Sequence, residues 1–431
     1  MKFTRATGLT SRTGRRPIGT RAAVAGAALM IGVAAIAGWQ GGSATDTPGA
    51  QPGAAAVMPD AARASSGRIA TVEAGRNRVD YARLDRRIEG LMRTPGMTGL
   101  GVTVVEGSRV TFVKGYGRTE PGAAGDPVTS RTVFRWASLS KTVAATTVEK
   151  LAADRKLSLL SPVTQYRTTL RLPNGKERFA TIEDVLSHRL GIVKNAYDDK
   201  LEDGMDPALI RGMYAALPAV CSPGACFAYQ NIAFDTVTEI VAKVTGRSYA
   251  STAQSMLFGP LGMVNASIGR AGLTGAASWA RPTKGTRVLT VEEPYYRVPA
   301  AGGVNSSIGD LALWLKAQMG GSPRVLRQAL LDDLHRPRIK VPRGRQGTFD
   351  RTMTDGRYAL GWRNHRLGGH LLVGHRGAVS GYRSLILFDP VERVGIAMLW
   401  NSESPKPVGL PLELFDALYG LPATDYLELG K

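Results

Sequence analysis

Ser138 and Lys141 stand three residues apart in Phe134-Arg135-Trp136-Ala137-Ser138-Leu139-Ser140-Lys141-Thr142. On a helix that spacing puts both side chains on one face, within mutual reach. The following Val143, Ala144, Ala145, Val148, Leu151 and Ala152 are apolar nearly all round, so this helix is expected to be buried. A lysine there is costly to charge without a partner, and its neutral form can take the proton of a serine and make the oxygen a nucleophile. Ser-x-x-Lys alone is common on surface helices, so the reading needs further residues.

Two further segments supply them. Tyr229-Gln230-Asn231 precedes a helix expected over about 234–245. A tyrosine hydroxyl beside a cation can relay a proton, and an asparagine two residues on can orient the lysine or a substrate amide. Gly374-His375-Arg376-Gly377-Ala378 enters the strand before the last hairpin, where a polar residue followed by glycine lets a substrate backbone lie close alongside. On an ideal strand Arg376 would point to the face opposite His375. His365, His370 and His375 recur in steps of five, which alternate faces on strands, so they are not expected to converge as metal ligands. With five His and two Cys, no metal site is expected.

The elements that must position these residues follow from periodicity. Tyr81, Leu84, Ile88, Leu91 and Met92 recur at helical spacing. Leu100 to Val105 and Val110 to Tyr116, joined by Glu106-Gly107-Ser108-Arg109, read as a hairpin. Helical and loop patterns run from about Lys141 to Gly262. Gly381 to Phe388 and Val394 to Trp400 read as a second hairpin, and Leu410 to Tyr419 as a closing helix. No internal repeat is evident. An α+β architecture follows: a sheet built from both ends of the chain, covered by helices, with a mainly helical lobe inserted between.

The three motifs, in this order and at these separations, resemble those of the class C β-lactamases and related penicillin-binding serine hydrolases, including D-alanyl-D-alanine carboxypeptidases and esterases. The resemblance covers roughly Leu84 to Leu421. It extends to Leu157-Ser158-Leu159-Leu160-Ser161-Pro162, Ile182 to His188, Leu257-Phe258-Gly259-Pro260-Leu261-Gly262-Met263, Ala300 to Leu311, Tyr358-Ala359-Leu360-Gly361-Trp362 and Gly395 to Asn401. It implies a β-lactamase/transpeptidase-like fold with an antiparallel sheet, and acyl transfer through a serine acyl-enzyme without metal or organic cofactor. By the same resemblance Ser138 is the nucleophile, Lys141 its base and Tyr229 the proton shuttle. Asn231 bonds Lys141 or the substrate, and the amides of Ser138 and Ala378 form an oxyanion hole, each donor typically worth about 3–4 kcal/mol. Asn195 falls near a substrate-binding amide of the lactamases. This chain departs from the Lys-Thr/Ser-Gly of lactamases with His375-Arg376-Gly377, and from a His-Thr-Ser-Gly stretch with His188-Arg189-Leu190-Gly191. Arg376 removes a hydroxyl that would bind a substrate carboxylate; it either supplies a guanidinium or blocks the groove. The resemblance thus implies a hydrolase of peptides, amides or esters, with D-amino-acid cell-wall peptides among them. A β-lactamase, or a weakly catalytic envelope protein that binds cell-wall polymer, is the alternative.

Composition bounds the rest. The 431 residues are 43% hydrophobic and 21% charged, enough for a large core and unlike a disordered, collagenous or coiled-coil chain. Two cysteines exclude a disulfide-dense scaffold or Cys-rich zinc module. Cys221 and Cys226 flank the turn sequence Ser222-Pro223-Gly224-Ala225; in an oxidising compartment a local bridge would stiffen the loop delivering Tyr229, and two reduced thiols are the alternative. The first 21 residues carry Lys2, Arg5, Arg12, Arg15, Arg16 and Arg21 and no acid, followed by the apolar run Ala22 to Trp39. That is the pattern of an export signal, with Ala35-Ile36-Ala37 a cleavage site, or of a membrane anchor. The formal net charge of +20 is spread over scattered arginines without a nucleic-acid motif, so no nucleic-acid partner is expected. The expected organisation is a signal or anchor over 1–40, a Gly/Ala/Pro-rich linker over 41–78, a catalytic domain over 79–421 and a tail over 422–431. Within the domain, a sheet lobe takes about 79–137 and 290–421, and a helical lobe about 138–289. The protein is expected outside the cytoplasmic membrane.

Overall fold

A computed structural model describes residues 78–344 and 347–430. The expected signal or anchor and nearly all of the linker lie outside the described residues. Among the described residues no helix is long and apolar enough to cross a membrane.

Eight strands form one antiparallel sheet: β1 (Gly99–Glu106), β2 (Arg109–Gly117), β3 (Ile339–Lys340), β4 (Thr354–Tyr358), β5 (Arg363–Leu367), β6 (His370–Val379), β7 (Tyr382–Asp389) and β8 (Val394–Trp400). Their order is β2-β1-β8-β7-β6-β5-β4-β3. β1 pairs with β2, and β3 to β8 each pair with the next strand in sequence; β2 and β3 are the two edges, and at the seam β1 lies antiparallel to β8, Leu100 opposite Trp400 and Glu106 opposite Val394. The first hairpin turns at Gly107-Ser108, and the last at 390–393. The three strands β3, β4 and β5 were not expected. Their sequences are polar and lack apolar alternation, as in Thr354-Asp355-Gly356-Arg357-Tyr358, which is also largely exposed.

The central strands are buried on both faces, with a period of two. On β8, Val394, Ile396, Met398 and Trp400 pack with α1 (Tyr81–Met92) and residues 410–415, whereas Ala397 and Leu399 join the larger core on the other face. Leu385 and Leu387 of β7 divide from Ile386 and Phe388 in the same way. One face is thus closed by α1, through Leu84, Ile88 and Leu91, and by a carboxy-terminal helix over Gly409–Tyr419.

The other face carries α2 (Ser140–Ala153), the helical middle of the chain with α3 (Thr236–Thr245), and α4 (Ile308–Gln318). The start of α4 is fixed by a reciprocal cap between Ser307 and Asp310. Eleven of the fourteen residues of α2 are buried, threonines included. Thr142, Thr146 and Thr147 satisfy their hydroxyls on carbonyls one turn back, and Thr142 and Thr146 also accept from Trp314 and Gln318 of α4. A small sheet of Val133–Arg135, Val304–Ser307 and Ser267–Ile268 lies at the entrance to α2.

Candidate active site

Ser138 sits in a single tight turn, Ala137–Leu139, immediately before α2, and is partly exposed. Ala137 is held at φ +51°, a strained conformation for a residue with a Cβ, fixed here by contacts on three sides. Trp136 N–H donates to Val304 O, its indole donates to Ser306, and its carbonyl accepts from Ser384 Oγ of β7. Ser140, the other serine of the motif, is fully buried; its hydroxyl donates to Ala137 O and accepts from Val304 N–H. Only Ser138 of the pair is open to a substrate.

Lys141 is fully buried beneath it. Its Nζ reaches three oxygens: Ser138 Oγ at 3.3 Å, Asn231 Oδ1 at 2.8 Å and Ala301 O at 3.0 Å. Asn231 in turn donates its Nδ2 to Asp198 at 2.7 Å. Ala301 is held by Asp235, whose carboxyl accepts from Ala300 N–H and which burial pushes up to about 7. Gly361 is required here: at φ +69°, its Cβ would stand 2.5 Å from Lys141 O.

Tyr229 lies beside the lysine, whose Nζ is 4.8 Å from the ring centre. Its backbone carbonyl accepts from Asn195 N–H, which ties the two segments together. Behind the ring stands a buried chain of His188, Tyr358 and His375. Gln230 N–H donates to His188 Nδ1 at 3.2 Å, so the His188 proton is on Nε2, which faces Tyr358 Oη at 3.1 Å. Tyr358 must then donate to His375 Nε2 at 3.0 Å, leaving His375 Nδ1–H for Arg376 O at 2.8 Å. One proton arrangement satisfies every member, with both imidazoles neutral. Burial, reinforced by Lys141 and Arg363, holds both histidines well below their ordinary value. The Arg363 guanidinium lies 5.6 Å from the Tyr229 ring centre and 5.2 Å from that of Tyr358.

The third motif is placed differently from expectation. β6 outruns β5, so residues 375–379 pair only with β7 and leave a free edge. Gly377, expected to make room for substrate, instead makes room for the turn that carries Ser138: its Cβ would lie 2.1 Å from Trp136 O and 3.0 Å from Ser138 N. His375 is 3% exposed and meets the site from behind, its ring 6.5 Å from that of Tyr229. Arg376 turns to the opposite face, ion-pairs with Asp350 at 2.8 Å and lies over Phe349. It neither blocks the cavity above Ser138 nor lines it.

That cavity has a volume of about 990 Å³ and is bordered by Ser138, Asn195, Asp198, Asn231, Ala301 and Ala378, among others. Ser138 and Ala378, the two residues expected to supply oxyanion donors, share its wall. A second cavity of about 1270 Å³ begins on the Tyr229 side, with Asn195 common to both. Cys221 and Cys226 are joined, and their loop runs along residues 188–191: Val220 N–H donates to Gly191 O, Gly224 N–H to Arg189 O and Ala228 N–H to His188 O. Among the described residues no group of three or more His, Cys, Asp or Glu side chains is disposed to hold a metal.

Sequence reasoning missed Asp198, the Ala301 carbonyl, Arg363, Tyr358 and the role of His188. Tyr358, His188 and Ala301 lay within segments that carried the resemblance, which was the available signal; Asp198 and Arg363 carried none.

Comparison with known proteins gives a consistent picture. The profile of the Beta-lactamase family matches residues 84–420. The unguisins hydrolase ungD of Aspergillus violaceofuscus is 24% identical over 378 residues, 79% of this chain and 65% of that protein. The esterase EstB of Burkholderia gladioli is 28% identical over 198 residues, 42% of this chain and 50% of the esterase. The D-alanyl-D-alanine-carboxypeptidase/endopeptidase AmpH of Escherichia coli K12 is 24% identical over 247 residues, 54% of this chain and 60% of that enzyme. The chain therefore spans between half and two thirds of the length of these relatives. Among solved structures, an octameric penicillin-binding protein homologue from Pyrococcus abyssi is similar at a TM-score of 0.71 and 26% identity, over 81% of this chain and 79% of that one.

Proposed function

Because the chain belongs to the Beta-lactamase family, we propose that it is a serine hydrolase that cleaves a peptide, amide or ester through an acyl-enzyme on Ser138. The observation that carries this reading is Lys141 Nζ, buried and 3.3 Å from the one open serine hydroxyl of the motif. Lys141 takes the Ser138 proton as Oγ attacks the substrate carbonyl. The amides of Ser138 and Ala378 receive the developing oxyanion, and Tyr229 passes a proton to the leaving group. Water then attacks the ester carbonyl and releases the acid and free Ser138.

The third motif favours acyclic substrates over β-lactams. His375 is neutral and shielded, and Arg376 is engaged with Asp350, so neither offers a free cation to a β-lactam carboxylate. D-Amino-acid peptides of the cell wall and small esters are the proposed substrates. Export is part of the proposal: a bridged Cys221–Cys226 suits an oxidising compartment, and the basic flank and apolar run at the amino terminus suit passage to it, with or without a retained membrane anchor.

The test is labelling with a fluorophosphonate probe or a labelled penicillin, then a substrate panel. Wild type and Ser140→Ala should take label, and Ser138→Ala and Lys141→Ala should fall below about one-thousandth of the wild-type rate. A short-chain nitrophenyl ester or a D-alanyl-D-alanine peptide should give a higher kcat/KM than nitrocefin. Label retained in Ser138→Ala protein would end the mechanism, and nitrocefin as the best substrate would make the protein a β-lactamase.

A further inference from the structure

We infer that Asp198 is a positioning residue of acylation: it locks the Asn231 amide in the orientation that aims the Lys141 lone pair at Ser138. The inference rests on the acyl-enzyme reading above. Asp198 opens a five-residue helix, Asp198–Glu202, and follows Tyr197 at φ +57°, a backbone turn that brings the carboxyl to the site.

The argument is one of donors and acceptors. An asparagine amide has two orientations of nearly the same shape, one presenting oxygen and the other N–H to a given neighbour. Burial raises the Asp198 carboxyl, and the Asn231 N–H and Lys141 pull it back down; in its ionised form it only accepts, so at 2.7 Å it requires Asn231 Nδ2 on its side. Asn231 Oδ1 is then left for Lys141 at 2.8 Å. The Ala301 carbonyl, at 3.0 Å, is likewise an acceptor and nothing else.

A neutral lysine has two N–H bonds and one lone pair. With both N–H bonds drawn to Asn231 Oδ1 and Ala301 O, the lone pair is the one direction left for Ser138 Oγ. That is the arrangement in which the amine removes the serine proton. An Asn231 turned the other way would present N–H to the amine, capture its lone pair and leave the serine proton without an acceptor. Asp198 thus reaches the reacting atoms through Asn231, and its other oxygen, Oδ1, is buried with no protein donor.

The prediction is a coupling between two side chains, read as the acylation rate constant with a fluorophosphonate or a nitrophenyl ester. Asp198→Ala should lower this rate about tenfold or more with KM changed less than about threefold, as expected for an interaction expressed in the transition state. In the Asn231→Ala background, Asp198→Ala should cost nothing further, because it acts through the amide already removed. Asp198→Asn keeps the shape but can present either oxygen or N–H, so it no longer dictates the Asn231 orientation and should recover only part of the loss, full recovery overturning the lock. A structural role would instead give multiplying losses in the double variant, and such a result overturns the inference, as does an Asp198→Ala rate within about twofold of wild type. If wild type takes no label, the acyl-enzyme reading fails on its own, and a crystal structure of Asp198→Ala decides the rest. Lys141 Nζ displaced from Asn231 Oδ1 supports the lock, and an undisturbed contact overturns it.

Discussion

A methyl group at Gly377 would stand 2.1 Å from the Trp136 carbonyl and 3.0 Å from the Ser138 amide, closer than packed atoms approach. The turn before α2 and the free end of β6 would have to separate. Gly377→Ala should therefore lower the labelling rate by about tenfold or more, a 1 Å error at the nucleophile being enough. Overpacking of about 1–3 kcal/mol should lower Tm by a few degrees. Full labelling by a Gly377→Ala protein would show that the turn tolerates the strand's retreat. Ser138, Lys141, Tyr229 and Asn231 were legible because their types and short spacings already imply proton transfer. Asp198 was not, since its partner lies 33 residues on and no local pattern links them. Nor was Ala301, because a carbonyl acting as lysine acceptor has no side-chain signature. Arg376 could be read to the correct face of its strand, but Asp350 and Phe349, which engage it there, come from a separate helical segment over Gly347–Thr352.

At the scale of elements, the segment delivering Tyr229 and Asn231 has no regular structure of its own. It is held by backbone bonds to residues 188–191, by Asn195 and by the Cys221–Cys226 bridge. A short covalent loop of this kind stabilises by about 2 kcal/mol through the unfolded state. Cys221→Ser/Cys226→Ser should lower Tm by a few degrees. It should also lower kcat more than it raises KM, because the role proposed for Tyr229 lies in the chemical step and not in capture. Equal activity of the oxidised protein and the double variant would show that backbone bonds alone fix the tyrosine. Both apolar hairpins, the first helix and the closing helix were readable from their periodicity. β3, β4 and β5 were not, because short strands of polar sequence toward one edge of a sheet leave little hydrophobic pattern to read.

At the scale of the whole molecule, buried titratable groups set the response to acid. His188 and His375 sit well below their ordinary value because of burial, and His335 and His365 are pushed down to about 3 for the same reason. The unfolded chain protonates all four near pH 6.5, so the stability they contribute is complete above that pH and lost as it falls. Burial pushes Asp235 and Glu149 up to about 7, which works in the opposite sense: their contribution is lost as pH rises from about 4 to 7. The four histidines, displaced across the whole interval, outweigh the two carboxyls raised to about 7, with Asp198, Asp310 and Asp416 raised by burial in the same opposing sense, and each net proton is worth about 1.4 kcal/mol per pH unit. Tm should fall between pH 7 and pH 5, and a level or rising Tm would contradict this balance.

The seam between β1 and β8 has a consequence in time. Residues 99–106 wait for residues 394–400, and the nucleophile turn waits for Gly377. A ribosome therefore releases Ser138, Lys141 and Tyr229 long before the strands that align them exist. A nascent chain halted short of residue 377 carries all three residues and no assembled centre, so hydrolytic capacity should arise late in synthesis, with the closing of the sheet.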